Sequence, residues 1–137
     1  MSGPGIQAFS RLLLDDTTIN QQVQSRVYPV KRPQGSGLPA LTYFDVLTIP
    51  IANHISGSGN LMQSRIQVDA WGATYSDVTT LGETVRRQID QFSGTKDGIV
   101  IQLIMWESKL DDYDELAKTH RVIQDFYMFY ESDAPVN

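Results

Sequence analysis

Residues 65–87 read RIQVDAWGATYSDVTTLGETVRR, a strand pattern that runs straight into a helix pattern, and this change of period decides the fold class. Ile66, Val68 and Ala70 alternate with Arg65, Gln67 and Asp69, the period of two expected of a strand with one wet face. Trp71 falls on the polar side of that alternation, so it is covered by something outside the sheet or left open to a partner. From Tyr75 the period lengthens. Val78, Leu81, Val85, Ile89 and Phe92 recur every three or four residues and line one stripe of a helix. Thr74 or Ser76 can cap its start, Gly94 lies past its end, and Arg86 and Arg87 complement the helix dipole near its C-terminus.

Working outward, a helix is predicted over residues 4–14, with Ile6, Phe9 and Leu13 on one side, and a shorter one up to about Gln24 behind a cap at Asp15 or Asp16. Residues 28–39 hold Pro29, Pro33 and Pro39 with Gly35 and Gly37 and read as a connector. Residues 40–49 read as a strand with bulk on both faces. A long hairpin connection follows over 50–60, with Ser56, Gly57, Ser58 and Gly59 at its tip. After the central strand and helix come a polar loop over 94–98 and a strand over 99–107, with Ile99, Ile101, Leu103 and Met105 opposite Val100, Ile104 and Trp106. Residues 109–118 read as an exposed acidic loop. Residues 120–130 form a last strand, with Val122, Phe126, Met128 and Tyr130 on one face and Ile123, Tyr127 and Phe129 on the other.

The order ααββαββ favours an α+β fold: a single, mostly antiparallel four-stranded sheet with helices packed on one face. One domain spans residues 1–137. Trp71, Trp106, Tyr127 and Phe129 are candidates for the uncovered face, more aromatic surface than a monomer usually leaves wet.

Composition narrows the function. With no cysteine there is no disulfide, thiolate nucleophile or Cys-ligated zinc. The N-terminal MSGPG lacks the basic and apolar regions of a secretory leader, and apolar runs such as 103–106 are too short to cross a membrane. A net charge of −5 with scattered basic residues argues against tight binding to phosphate backbones.

The chemistry-bearing groupings are weak. Residues 35–40, GSGLPA, imitate a dinucleotide-binding glycine pattern, but a strand follows instead of preceding and Pro39 interrupts it, so a turn is the better reading. Residues 56–59 lack the Gly-x-Ser-x-Gly elbow. His54 and His120 have no acidic partner at a fixed spacing, and Asp111, Asp112, Asp114 and Glu115 lack the glycine and terminal glutamate of a calcium loop. No catalytic, cofactor or metal site is expected, and the chain reads as a non-enzyme.

Three segments carry a family resemblance: the strand, Trp71, the Thr74-Tyr75 step and the helix ending in Val85-Arg86; RVYP at 26–29 with PQG at 33–35 and LPALTY at 38–43; and HRVIQDFYMFY at 120–130. Together they resemble the tail-terminator (tail-completion) protein family of long-tailed bacteriophages and related phage-like particles. Gly72, where a larger small residue is expected, and the acidic stretch before the last strand depart from it. The resemblance implies a structural virion protein, assembled in the host cytoplasm, that forms a homo-hexameric ring at the head-tail joint. It would cap the head-proximal end of the tail tube, end tube polymerisation and join the tail to the head connector. Its partners would be the tail tube protein and the head-tail connector protein, with DNA passing through without specific binding, no membrane and no cofactor. Trp71, Trp106, Ile51, His54, Ile55, Tyr127 and Phe129 are then the candidate subunit or tube interface, and Asp111, Asp112, Asp114 and Glu115 the candidate lumen or connector loop. The alternative is a small-molecule or peptide-binding module that uses the aromatic sheet face.

Overall fold

The computed structural model describes residues 5–52 and 60–132. The chain begins with two short helices, α1 (Gly5–Asp15) and α2 (Thr17–Val23), split at Asp16, whose Oδ1 accepts the Ile19 N–H at 2.8 Å as the cap of α2. Asn20 ties the pair together: its Nδ2 donates to the Leu13 and Leu14 carbonyls, which α1 cannot satisfy at its own end. Gln24 then turns left-handed (φ 51°) and ends α2.

The remaining elements are β1 (Val27–Pro29), β2 (Ala40–Ala52), β3 (Asn60–Gly72), α3 (Tyr75–Ile89), β4 (Gly94–Lys96), β5 (Ile99–Asp114) and β6 (Thr119–Ser132). Thr74 caps α3, its hydroxyl accepting the Asp77 N–H at 3.0 Å. All strands lie in one sheet of order β1-β2-β3-β6-β5-β4. The fold is α+β as expected, but the expected four-stranded, mostly antiparallel sheet is corrected: it has six strands and is mixed, because β1 runs parallel to β2. The two added strands, β1 and β4, are only three residues long, too short to show a period, and they occupy the start of the proline-rich connector and the glycine-bounded loop.

The acidic stretch is corrected as well. Asp111, Asp112 and Asp114 belong to β5, paired with β6, and only residues 115–118 form the turn. Its charges lie on both faces of an exposed ribbon whose strand conformation is imposed by the partner.

Of the four β-bulges, two each in β2 and β5, the first in each strand decides which face its apolar side chains take. In β5, the irregularity between Ile101 and Leu103 puts Ile99, Ile101, Ile104 and Trp106 toward the helices, with Val100, Leu103 and Met105 away. The uninterrupted alternation expected from sequence is therefore wrong beyond Gln102. In β2, the break between Asp45 and Leu47 likewise moves Leu47 to the face opposite Leu41 and Tyr43. The core lies between the helices and the inner sheet face: Phe9, Leu13, Ile19, Leu81, Val85 and Ile89 meet Ile66, Val68, Ile104, Phe126 and Met128.

Candidate interaction surface on the open sheet face

The cross-strand register assigns each remaining side chain to the face away from the helices. One row crosses the sheet as Leu47, Arg65, Tyr127 and Met105; the next as Ile49, Gln63, Phe129 and Leu103. Towards the other end the rows read Thr42, Asp69, Ile123, Leu110 and then Ala40, Trp71, Arg121, Asp112. The face is thus zoned. Apolar side chains of β2 on one side and of β5 and β6 on the other flank a polar stripe along β3.

The polar stripe is mostly satisfied internally, with Asp125 Oδ1 buried and unpartnered among the described residues. Arg65 donates from Nε (3.1 Å) and Nη2 (2.6 Å) to Asp125 Oδ2. Arg121 bridges Asp112 (2.5 Å) and the buried Asp69 (3.4 Å), and Gln67 Nε2 donates to Asp69 Oδ1 at 2.9 Å. Burial pushes the Asp69 carboxyl up, against the opposing pull of Gln67 and Arg121. The hydrogen bond from Arg121 pulls exposed Asp112 down. Trp71 meets two cations, the guanidinium carbons of Arg32 and Arg121 standing 5.0 and 4.9 Å from its ring centre, while its Nε1 donates to Thr42 Oγ1 at 3.0 Å.

The apolar zones are less well covered. Leu47 is 59% exposed and Met105 44%, beside half-buried Tyr127 and Phe129. Paired charges on one part of a sheet and wet aliphatic side chains on another suit a protein contact surface better than a reaction centre. Among the described residues, no three His, Cys, Asp or Glu side chains are grouped to hold a metal ion. A small cleft lies on the helix side, lined by Leu12, Asp15, Gln88, Phe92 and Lys96, and the Lys96–Asp15 ion pair occupies its polar groups.

The family model described as tail completion protein gp17 matches residues 7–131. The chain belongs to this tail completion family. It is accordingly a structural protein of a phage-type tail, located in the virion. No curated protein matches this tail completion protein. Among solved structures, it superposes on a chain of the "Virion of native gene transfer agent (GTA) particle" with a TM-score of 0.76 at 12% identity, over 92% of this chain and 93% of that one. That likeness is one of fold.

The tail completion protein's structure brings together only some of the residues singled out from sequence. Trp71, Tyr127 and Phe129 share the open face. Ile51 stands 40% exposed near the end of β2. Trp106 is on the helix side instead, carried there by the bulge: its Nε1 donates to buried Gln124, and Arg86 of α3 stacks on its ring at 4.7 Å. His54 and Ile55 lie outside the described residues. His120 packs on Tyr75 and Tyr113, with ring centres 5.9 and 4.7 Å away. The acidic group is occupied locally: Asp111 accepts from Tyr75 Oη, Asp112 pairs with Arg121, and Asp114 takes the Leu116 and Ala117 N–H groups, while Glu115 stands in the turn. Sequence reading missed Leu47, Ile49, Leu103 and Met105, because the first bulge in each strand inverts the alternation that would have flagged them.

Proposed function

We propose that this tail completion protein forms a ring that caps the head-proximal end of the tail tube, ends tube polymerisation and joins the tail to the head connector. Membership of the tail completion family over residues 7–131 carries this reading. The exposed aliphatic and aromatic side chains of the open face support it, as a surface for a neighbouring subunit or the tube. The ring is a homo-hexamer in which one patch meets a different patch on the next copy, the geometry of closed rings. DNA passes through without specific binding, consistent with a charge of −5 per subunit and basic residues committed to ion pairs such as Arg65–Asp125 and Arg121–Asp112. Asp111, Asp112, Asp114 and Glu115 face the channel or the connector in this arrangement. The protein performs no chemistry in this role.

Particles assembled without the protein test the reading. Tubes that overrun their normal length and fail to join heads are expected. Tails of normal length that attach normally would exclude it.

A further inference from the structure

The two long outer strands each leave part of their outer edge without a main-chain partner. β1 covers β2 only opposite Leu41, Thr42 and Tyr43, and the Val30 N–H adds one bond to the Tyr43 carbonyl. Among the described residues, no main chain pairs with that edge from Asp45 to Ala52. Across the sheet, β4 covers β5 at Ile99, Val100 and Ile101, Gln91 and Phe92 bond Ile104, and Asp90 takes the Trp106 N–H. Beyond Trp106 the outer edge of β5 is likewise free among the described residues.

Free strand edges are templates for a further strand, and soluble proteins guard them with charge or proline. β5 is guarded by Glu107, Lys109, Asp111, Asp112 and Asp114. β2 has only Asp45 and Pro50 as guards, while Val46, Leu47, Ile49 and Ile51 are each at least 40% exposed. We propose that the free edge of β2, residues 46–51, takes as an added antiparallel strand the free edge of β5, residues 107–113, from a second copy of this chain. The proposal rests on the ring reading above and names the contact that builds it.

Direction, charge and level all favour this pairing. Three antiparallel steps separate β2 from β5 within the sheet, so the two strands run oppositely, and copies placed side by side in one orientation meet edge to edge antiparallel. A two-fold pairing of β5 with itself would set the carboxylates of Asp111, Asp112 and Asp114 against one another, which is unfavourable. Pairing β5 with β2 leaves one unused edge of each kind at the ends, so addition continues until a ring closes. In one copy Leu110 is level with Thr42 through Ile123 and Asp69, whereas the middle of the free β2 edge lies near Thr48. Matching the two edges therefore offsets neighbours by about 17 Å along the strands, at about 3.3 Å per residue. Each copy contributes four strand columns, about 19 Å at the usual spacing of about 4.8 Å. The strands then incline to the ring axis by about 40°, within the tilt at which closed sheets form.

The chain has no cysteine, so Leu47→Cys and Leu110→Cys give clean probes, and both positions are more than half exposed on the same sheet face. Tails assembled with the double variant are treated with a short bismaleimide. A ladder of covalent multimers is expected, with each single variant left uncrosslinked and a mixture of the two single variants giving dimers. Covalent dimers from L47C alone would replace the proposal with a two-fold β2 contact. A double variant present on the tails without crosslinks would overturn edge pairing while leaving the ring reading standing. Tails of normal length that join heads in the absence of the protein would remove the ring reading, and the edge contact with it.

Discussion

Trp106 Nε1 donates to Gln124 Oε1 at 2.8 Å, and Gln124 Nε2 donates in turn to the Gly82 carbonyl at 3.0 Å, so one amide joins β5, β6 and α3 inside the core. Gln124 is 1% exposed. Replacing it with leucine keeps the volume but strands the Gly82 carbonyl and the part-buried indole N–H, at about 1–3 kcal/mol for such groups. Denaturant unfolding of Gln124→Leu should show a loss of that order with an unchanged m-value. A neutral result would mean that Trp106 finds another acceptor.

The two tryptophans should separate stability from assembly. Trp106→Ala removes a half-buried ring that packs against the core and is expected to cost about 3 kcal/mol, the low end for such truncations. Trp71→Ala removes two cation–ring contacts of about 0.5–1 kcal/mol each, with a hydrogen bond. Its folding loss should be the smaller and its loss of incorporation into tails the larger, measured by thermal melts and by the protein content of purified particles. Equal effects in both assays would assign Trp71 a folding role.

Acid should weaken two surface pairs. The Arg121 hydrogen bond holds Asp112 below the ordinary carboxylate range, and the Arg11 hydrogen bond does the same for Asp15, helped by Lys96. A group depressed in the folded state lends stability above its unfolded pKa of about 3.9 and loses it as pH falls through the folded value. Wild type should therefore exceed Asp15→Asn and Asp112→Asn in melting temperature at neutral pH, and the advantage should vanish below the ordinary range. Asp69 works oppositely: burial raises its pKa, so stability falls as pH rises from the unfolded to the folded value. Asp69→Asn should flatten that part of the profile.

Gly5 opens α1 flat against the ring of Tyr130. An added Cβ would come within 2.5 Å of that ring, far inside contact distance. Gly5→Ala should lower stability by about 1–3 kcal/mol through overpacking, despite alanine's better helix propensity. Thermal unfolding decides it, and a stabilised variant would show that α1 can shift off the sheet.

Regular elements with long periods were legible in the sequence. α3 was readable from Val78, Leu81, Val85 and Ile89, and β6 from its alternation, because one buried face imposes each pattern. What escaped depends on pairing rather than on local pattern. β1 and β4 are strands only because β2 and β5 lie beside them, and the acidic half of β5 is a strand because β6 supplies its ladder. The open face was half visible: Trp71, Tyr127 and Phe129 were placed by parity, whereas Leu47 and Met105 required knowledge of the bulges.

The two irregularities in β5, after Ile101 and after Trp106, each insert one extra residue on that strand, Gln102 and Glu107, opposite β6. Residues between them are out of step with both ends of the strand, and the ends agree with each other. Deleting Gln102 would therefore close the first bulge, with Ile101 and Leu103 on successive rungs as now, and leave Ile104 and Trp106 facing the helices. Deleting Glu107 would close the second bulge in the same way and leave the acidic ribbon on its present faces. The strand can thus shed either extra residue without turning a core side chain to water, so single-residue length differences here should concentrate at positions 102 and 107.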